Sequence, residues 1–133
     1  MLRMEKLHFI TEEAFRDLIN SEISANKHKG HITGDAGVFV QHCVDTGNIA
    51  YDTAGRIIQK YPHFATLINL DILRVEGYMH DFGKISEGYP YHEVVTAHLI
   101  WTQGDKNLAL VAGASPIERR EALREMVSIV PTD

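Results

Sequence analysis

The chain has 133 residues, a formal net charge of −5 and 44% hydrophobic residues, which suits one domain with a substantial buried core. It has no cluster of lysine and arginine residues, so binding to a nucleic-acid duplex is not expected. The single cysteine, Cys43, excludes an internal disulfide, and no apolar run reaches membrane-spanning length, so we expect a soluble, cytoplasmic protein with no membrane partner.

The first half of the chain predicts two helices. Thr11, followed by two glutamates, has the pattern of an N-cap with acidic residues in the first turn, and predicts a helix over 11–25. After a glycine-containing loop over 26–37, apolar residues at steps of three and four predict a long helix over 37–61. This helix is apolar around most of its circumference, which predicts a central place in the fold.

Two histidines, His28 and His31, lie three residues apart in the loop over 26–37. Such a pair can bind a metal ion. Because no neighbouring group in the sequence supports them, we interpret them as exposed polar residues.

The third predicted helix spans 69–80 and ends on the histidine of a His-Asp pair. Its inward face is predicted to hold four residues at helical spacing: Leu70, Leu73, Gly77 and His80. An aspartate beside an inward histidine is costly to bury without a partner, so we expect a cation beside Asp81. Gly83 is expected to permit a backbone bend that lets both side chains reach one ion.

The rest of the chain predicts a loop, two helices and a short apolar segment. The loop covers 83–91, and a proline in the first turn predicts a helix over 90–103. The apolar run over 108–112 fits either a helical turn or a buried segment. A capping-box pattern with proline at the first position predicts a last helix over 116–130, with Ile117 on its inward face.

These elements predict the fold class. No alternating pattern typical of strands has a useful length, so we expect an all-α fold: one domain over 1–133, built as a bundle of about five to six helices. Leu99, Ile100 and Trp101 on one short helix could face a partner, so the sequence is compatible with an oligomer.

His42 lies on the long helix, at the border between its buried and polar sectors. Alone, it would be interpreted as a core-edge histidine bonded to a backbone carbonyl. A metal site needs ligands from well-separated segments, however, and His42 with His80 and Asp81 would provide them. Two imidazole nitrogens and a carboxylate suit Mn²⁺, Fe²⁺, Co²⁺, Ni²⁺ or Zn²⁺ better than Mg²⁺.

These motifs resemble those of the HD superfamily of metal-dependent phosphohydrolases. The family pattern is a histidine on an early helix, a His-Asp pair usually followed by x-Gly-Lys, and a distal aspartate on the last helix of an all-α bundle. Val-Gln-His-Cys-Val at 40–44 matches the first element, and His-Asp-Phe-Gly-Lys at 80–84 matches the second. His-Glu-Val-Val-Thr-Ala at 92–97 is similar to the segment that follows the pair, with Thr96 in place of the usual glycine. The resemblance covers 37–103 well and the remainder loosely.

The resemblance implies a role for each matched residue. The implied metal ligands are His42, His80, Asp81 and Asp133. Asp133 stands for the distal aspartate because Asp105, in a turn, comes too early in the chain. Lys84 is placed to offset charge on phosphoryl oxygens, and His92 could protonate the leaving oxygen or complete the surroundings of the ligands.

The predicted function is a metal-dependent phosphohydrolase that acts on a nucleotide or another small phosphate ester, with metal-bound water as the nucleophile. Two alternatives stay open. One is a non-catalytic ligand-binding or regulatory module with an incomplete site. The other is an iron-dependent oxygenase of the same fold, which would need two irons; no histidine follows His98 to complete a second metal site.

Overall fold

The computed structural model describes residues 6–129, and it confirms the predicted all-α class. Val130, the predicted end of the last helix, lies outside the described residues. Among the described residues, every helix is too short or too polar to cross a lipid bilayer. The α-helices are α1 (Glu12–Ala25), α2 (Ala36–Lys60), α3 (Leu70–Met79), α4 (Gly83–Glu87), α5 (His92–Gln103) and α6 (Pro116–Ile129). Two 3-10 helices (Lys27–Lys29 and Pro62–Thr66) and two short strands, β1 (His8–Phe9) and β2 (Val111–Ala112), complete the elements.

The first two helices begin at side-chain caps. The Thr11 hydroxyl accepts a hydrogen bond from the backbone N–H of Ala14 at 3.1 Å, which confirms the predicted start of α1. Asp35 caps α2 by accepting from the backbone N–H of Gly37 at 2.8 Å. The long helix therefore starts one residue earlier than predicted.

The helices α2 and α3 pack backbone against backbone. A Cβ atom added to Gly77 would lie 2.5 Å from the Cα of Gly47, and one added to Gly47 would lie 2.5 Å from the carbonyl oxygen of Arg74. The two glycines remove the side chains that would otherwise keep the helices apart. This close approach brings the helix that carries His42 against the helix that leads to His80.

The predicted inward face of α3 is only partly correct: Gly77 packs against Gly47 of α2, but the fully buried side chains lie elsewhere on the helix. Leu70, Leu73, Gly77 and His80 are only half-buried. The side chains that enter the core lie mainly to one side of that line: Ile72, Val75, Glu76, Tyr78 and Met79. A helix with this many apolar residues allows several lines at helical spacing, and the sequence does not show which one faces the core.

The region after α3 differs from the prediction in one place, and in another it selects one of the two predicted alternatives, because Leu110 and Val111 in the run over 108–112 are buried. The expected loop over 83–91 contains the short helix α4. This helix ends at Gly88, which has φ of 75°. The apolar run over 108–112 ends in β2, which pairs antiparallel with β1 so that His8 faces Ala112. Strands of two residues are too short to show alternation in a sequence.

The packing of α5 and α6 also corrects two expectations. Ile100 is fully buried, so it is not available to a partner as expected. Ile117 is 76% exposed rather than inward, and α6 contributes Ala122, Leu123 and Met126 to the core.

Candidate metal centre

Asp81 is the centre of the polar cluster. It lies in the turn over 80–82 that joins α3 to α4, and the residue is buried. Its carboxylate oxygen Oδ2 lies 2.9 Å from Nε2 of His80, 3.2 Å from Nε2 of His42 and 3.5 Å from Nζ of Lys84. Three side chains from two helices and a turn therefore meet at one oxygen atom.

The three side chains predicted as ligands converge on one point. The nearest ligand atoms of His42, His80 and Asp81 all lie within 4.8 Å of one another. The two imidazole nitrogens lie 3.2 Å and 2.9 Å from Oδ2 of Asp81, a spacing that suits donors on one ion whose bonds are about 2.0–2.2 Å long. The group can hold a metal ion.

His80 is oriented by its own helix. Its Nδ1–H donates to the carbonyl oxygen of Gly77 at 2.8 Å, which leaves Nε2 directed at the carboxylate of Asp81. Metal-binding histidines commonly donate the second ring nitrogen to a backbone carbonyl in this way, because it fixes the tautomer and the ring plane. Nε2 of His80 and Oδ2 of Asp81, 2.9 Å apart, can share a proton or, when both are unprotonated, bind the same cation. The donor set thus fits a bound cation.

His42 reaches the cluster from α2 and forms its open side. Its side chain is 56% exposed, whereas that of Asp81 is 9% exposed. The His42 and His80 rings meet edge to face, with centroids 5.1 Å apart. An ion held by these groups would be buried on the Asp81 side and accessible on the His42 side.

The charges around Asp81 shift its acidity. Burial alone would raise the pKa of this carboxyl, but the hydrogen bond and the charge of His80 outweigh burial. The charges of Lys84 and His92 act in the same direction, so the pKa of Asp81 lies well below its usual range. Burial by itself lowers the pKa of His80, yet the hydrogen bond and charge of Asp81 raise that pKa above its ordinary value. Asp81 is therefore ionised across the physiological range.

His92 touches the opposite oxygen of the same carboxylate. It is the first residue of α5 and is buried. Its Nε2 lies 3.3 Å from Oδ1 of Asp81 and 3.2 Å from Oε1 of Glu93. Its Nδ1–H donates to the carbonyl oxygen of Tyr89 at 2.6 Å. His92 thus contacts the carboxylate of Asp81 at Oδ1, whereas the exposed ring of His42 contacts Oδ2.

Gly83 does not form the backbone bend that the sequence predicted. The chain turns at 80–82, and Gly83 is the first residue of α4. A Cβ atom there would lie 2.3 Å from the carbonyl oxygen of His92, so glycine allows α4 to approach α5 closely. The backbone N–H of Gly83 donates to the fully buried hydroxyl of Thr96 at 2.8 Å. Thr96, where the family pattern has glycine, therefore anchors the turn that carries the ligands.

A cleft of about 470 Å³ opens next to the cluster. His42, Asp81 and Lys84 form one part of its wall. Another part is apolar and aromatic, with Phe39 and the largely exposed Tyr89. Lys84 lies between the two parts, since its Nζ is 4.8 Å from the centre of the Tyr89 ring.

The other histidines and aspartates considered in the sequence lie outside the polar cluster or outside the described residues. His31 is exposed, as the sequence predicted, and it also lines the same cleft. No sequence pattern could place it beside Asp81 and Lys84, because these two residues lie about 50 positions further along the chain. His28 and His98 are exposed, and Asp105 lies 4.0 Å from Arg119. Asp133, the predicted fourth ligand, lies outside the described residues.

Comparisons of the chain with protein-family models, with curated proteins and with solved structures found no match.

Proposed function

We propose that the chain is a metal-dependent hydrolase of small phosphate esters, with a divalent transition-metal ion bound by His42, His80 and Asp81. One observation carries the proposal: two imidazole nitrogens and a buried carboxylate converge beside a cleft that also contains a lysine. The resemblance of the sequence motifs to the HD superfamily supports the reaction class.

The ligand atoms favour a particular group of metals. Two imidazole nitrogens with one carboxylate oxygen suit Mn²⁺, Fe²⁺, Co²⁺, Ni²⁺ or Zn²⁺, whereas Mg²⁺ prefers oxygen ligands and water. When bound, such an ion lowers the pKa of a water molecule and withdraws charge from a phosphoryl oxygen.

The residues around the ligands have separate roles. Lys84 lines the cleft beside Asp81, where its ammonium group can offset negative charge on phosphoryl oxygens. His92 is buried behind Asp81, so it acts as a positioning residue that holds the carboxylate in place. His42, being exposed, leaves the cleft side of the cluster accessible to substrate.

The shape and lining of the cleft favour a substrate with an anionic end and a planar or apolar end. The anionic end would meet Lys84, and the planar end would rest against Phe39 and Tyr89. A nucleotide has both features. A volume of about 470 Å³ falls within the range of about 300–1,000 Å³ that is usual for small-molecule sites.

A second candidate is a metal-binding module without catalysis. The part of the chain that the structure describes supplies three candidate ligands, whereas the HD pattern has a fourth, the distal aspartate. This candidate shares the metal site with the first and differs from it only in activity.

Metal analysis combined with activity measurement tests the proposal. The purified protein would be loaded with Mn²⁺, Co²⁺ or Zn²⁺, dialysed and analysed for metal, then assayed with p-nitrophenyl phosphate and nucleoside monophosphates. We expect about one ion per chain and metal-dependent hydrolysis, with both lost in His80→Ala because one of three ligands is gone. His98→Ala, which removes an exposed histidine of α5, is the matched control and should change neither.

The other outcomes are equally informative. Metal binding without hydrolysis would leave the non-catalytic module, and two irons per chain would indicate the oxygenase alternative. A protein that retains no metal would contradict both the hydrolase and the module.

A further inference from the structure

His31 lies in the cleft beside the metal centre, although it is far from the ligands in the sequence. It belongs to the segment between α1 and α2 and lines the same cavity as His42, Asp81 and Lys84. No role has been given to it so far. A histidine in the wall of a cleft for anionic substrates can donate a hydrogen bond to a phosphate oxygen.

The His31 ring lies against the turn that follows α4. Gly88 has φ of 75° and lies directly against the ring: a Cβ atom on it would be 2.9 Å from Nδ1 of His31. The ammonium group of Lys29 donates to the carbonyl oxygen of Ser86 at 3.2 Å and ties the two segments together. His31 is therefore held against the element that follows Asp81 and Lys84.

The ring nitrogens of His31 are not used by the protein. Among residues 6–129, His31 forms neither a hydrogen bond nor an ion pair, and the residue is exposed. His42, His80 and His92 instead direct their Nε2 atoms at Asp81. An imidazole with free nitrogens in the wall of a cleft is available to a bound molecule.

We propose that His31 is a substrate-binding residue that donates a hydrogen bond to the phosphate ester held at the metal centre. The inference rests on the proposed function and adds a contact from outside the ligand cluster. His31 and Lys84 would then contact the anionic end of the substrate together.

Two variants separate hydrogen bonding by His31 from simple packing. His31→Phe keeps a ring against Gly88 but removes both nitrogens, whereas His31→Gln keeps a hydrogen-bond donor. Loss of one hydrogen bond to a charged group should lower kcat/KM for p-nitrophenyl phosphate about tenfold to a hundredfold in His31→Phe, and His31→Gln should recover part of the loss. His28→Phe changes the neighbouring exposed histidine and is the matched control.

A binding measurement gives a readout that does not depend on activity. The Zn²⁺-loaded protein, labelled with ¹³C at histidine, would be titrated with inorganic phosphate. We expect the ring C–H resonance of His31 to shift and that of His28 to stay in place. Melting temperature and metal content of each variant would show that the fold and the centre are intact.

The outcomes distinguish this inference from the proposed function. Activity of His31→Phe within twofold of the unchanged protein, or no phosphate-induced shift at His31, would overturn the inference even where metal binding and hydrolysis are present. Absence of bound metal in the unchanged protein would overturn the proposed function, and this inference with it. A shift at His31 in a metal-loaded protein that does not hydrolyse esters would support the phosphate contact and contradict catalysis.

Discussion

Glu76 is a buried carboxyl group one helical turn before His80. The residue is 8% exposed, and its Oε1 atom has no hydrogen-bond partner among the described residues. Burial raises its pKa from 4.5 to about 8. Glu76 is therefore protonated in the folded protein at neutral pH and ionised in the unfolded chain.

This shift gives a prediction for the free energy of unfolding. Between pH 4.5 and about 8 the folded state keeps a proton that the unfolded chain releases, so Glu76 makes the protein less stable as pH rises through this window. Glu76→Gln removes this loss of stability, because glutamine does not ionise. The variant should be about equal to the unchanged protein near pH 4.5 and more stable by about 1–3 kcal/mol near pH 8.

Urea denaturation at several pH values measures the Glu76 effect. Glu121→Gln removes an exposed carboxylate that lies 3.7 Å from Arg124, and it should change stability by less than about 1 kcal/mol at any pH. A stability difference for Glu76→Gln that does not grow with pH would contradict the raised pKa.

At the residue scale, the sequence predicted the ligand group but not its surroundings. His80 and Asp81 are adjacent in the chain, so their motif is local, and His42 could be paired with them by its place on a rigid helix. His31 meets the cleft only through its contact with Gly88, which depends on how distant segments fold together. No local pattern carries that information.

At the scale of whole helices, the contact between α2 and α3 sets the distance between His42 and the His80–Asp81 pair. His42 comes from one helix, whereas His80 and Asp81 follow the other. Gly47 and Gly77 allow the two backbones to touch. Any side chain at this crossing would separate the helices and, with them, the ligand atoms.

Gly77→Ala tests this dependence. The added methyl group would lie 2.5 Å from the Cα of Gly47, so the helices must shift apart. We expect a loss of about 1–3 kcal/mol in the free energy of unfolding. Metal affinity should also fall, because His42 moves away from Asp81. Thermal denaturation and metal titration measure the two effects.

Gly55→Ala is the matched control for the helix crossing. Gly55 lies on α2, and a Cβ atom there meets nothing within 4 Å. Because glycine is a poor helix former, this change should stabilise the protein by about 0.5–1 kcal/mol and leave metal affinity unchanged. Equal behaviour of the two variants would show that the crossing does not position the ligands.

Elements with strong local signals were the predictable part of the fold. The caps at Thr11 and Ser115 marked the starts of α1 and α6, and the long apolar pattern marked α2. The helix α4 is only five residues long and has no side-chain cap, so no local sequence pattern predicted it. The buried face of α3 was misassigned because tertiary contacts, rather than spacing alone, select the residues that enter the core.

A bound ion would stabilise the whole molecule, because its ligands are assembled only in the folded chain. Stabilisation follows from mass action and reaches about 2.7 kcal/mol when the free ion is at a hundredfold its dissociation constant. For a domain of this size, the melting temperature should rise on the order of 10 °C with saturating metal. EDTA should reverse the shift, and His80→Ala should show none.

Acidification should weaken this stabilisation. Each imidazole must be unprotonated at the atom that binds the ion, so protons compete with the metal. Because Asp81 raises the pKa of His80, the competition begins at a higher pH than for an ordinary histidine. Melting curves between pH 8 and pH 5, with and without the ion, measure the effect. A metal-induced shift that is independent of pH would exclude histidine ligands.

The short ladder between β1 and β2 has a consequence for the order in which the chain folds. It joins the start of the described chain to the segment before α6, so it closes the longest loop among the described elements. The three candidate metal ligands, in contrast, lie on α2 and in the turn directly after α3, and contacts between sequence neighbours form at lower entropic cost. We therefore expect the helix pair with the ligands to assemble first and the ladder to close last. In pulse-labelled hydrogen exchange during refolding, amides of α2 and α3 would then gain protection before those of β1.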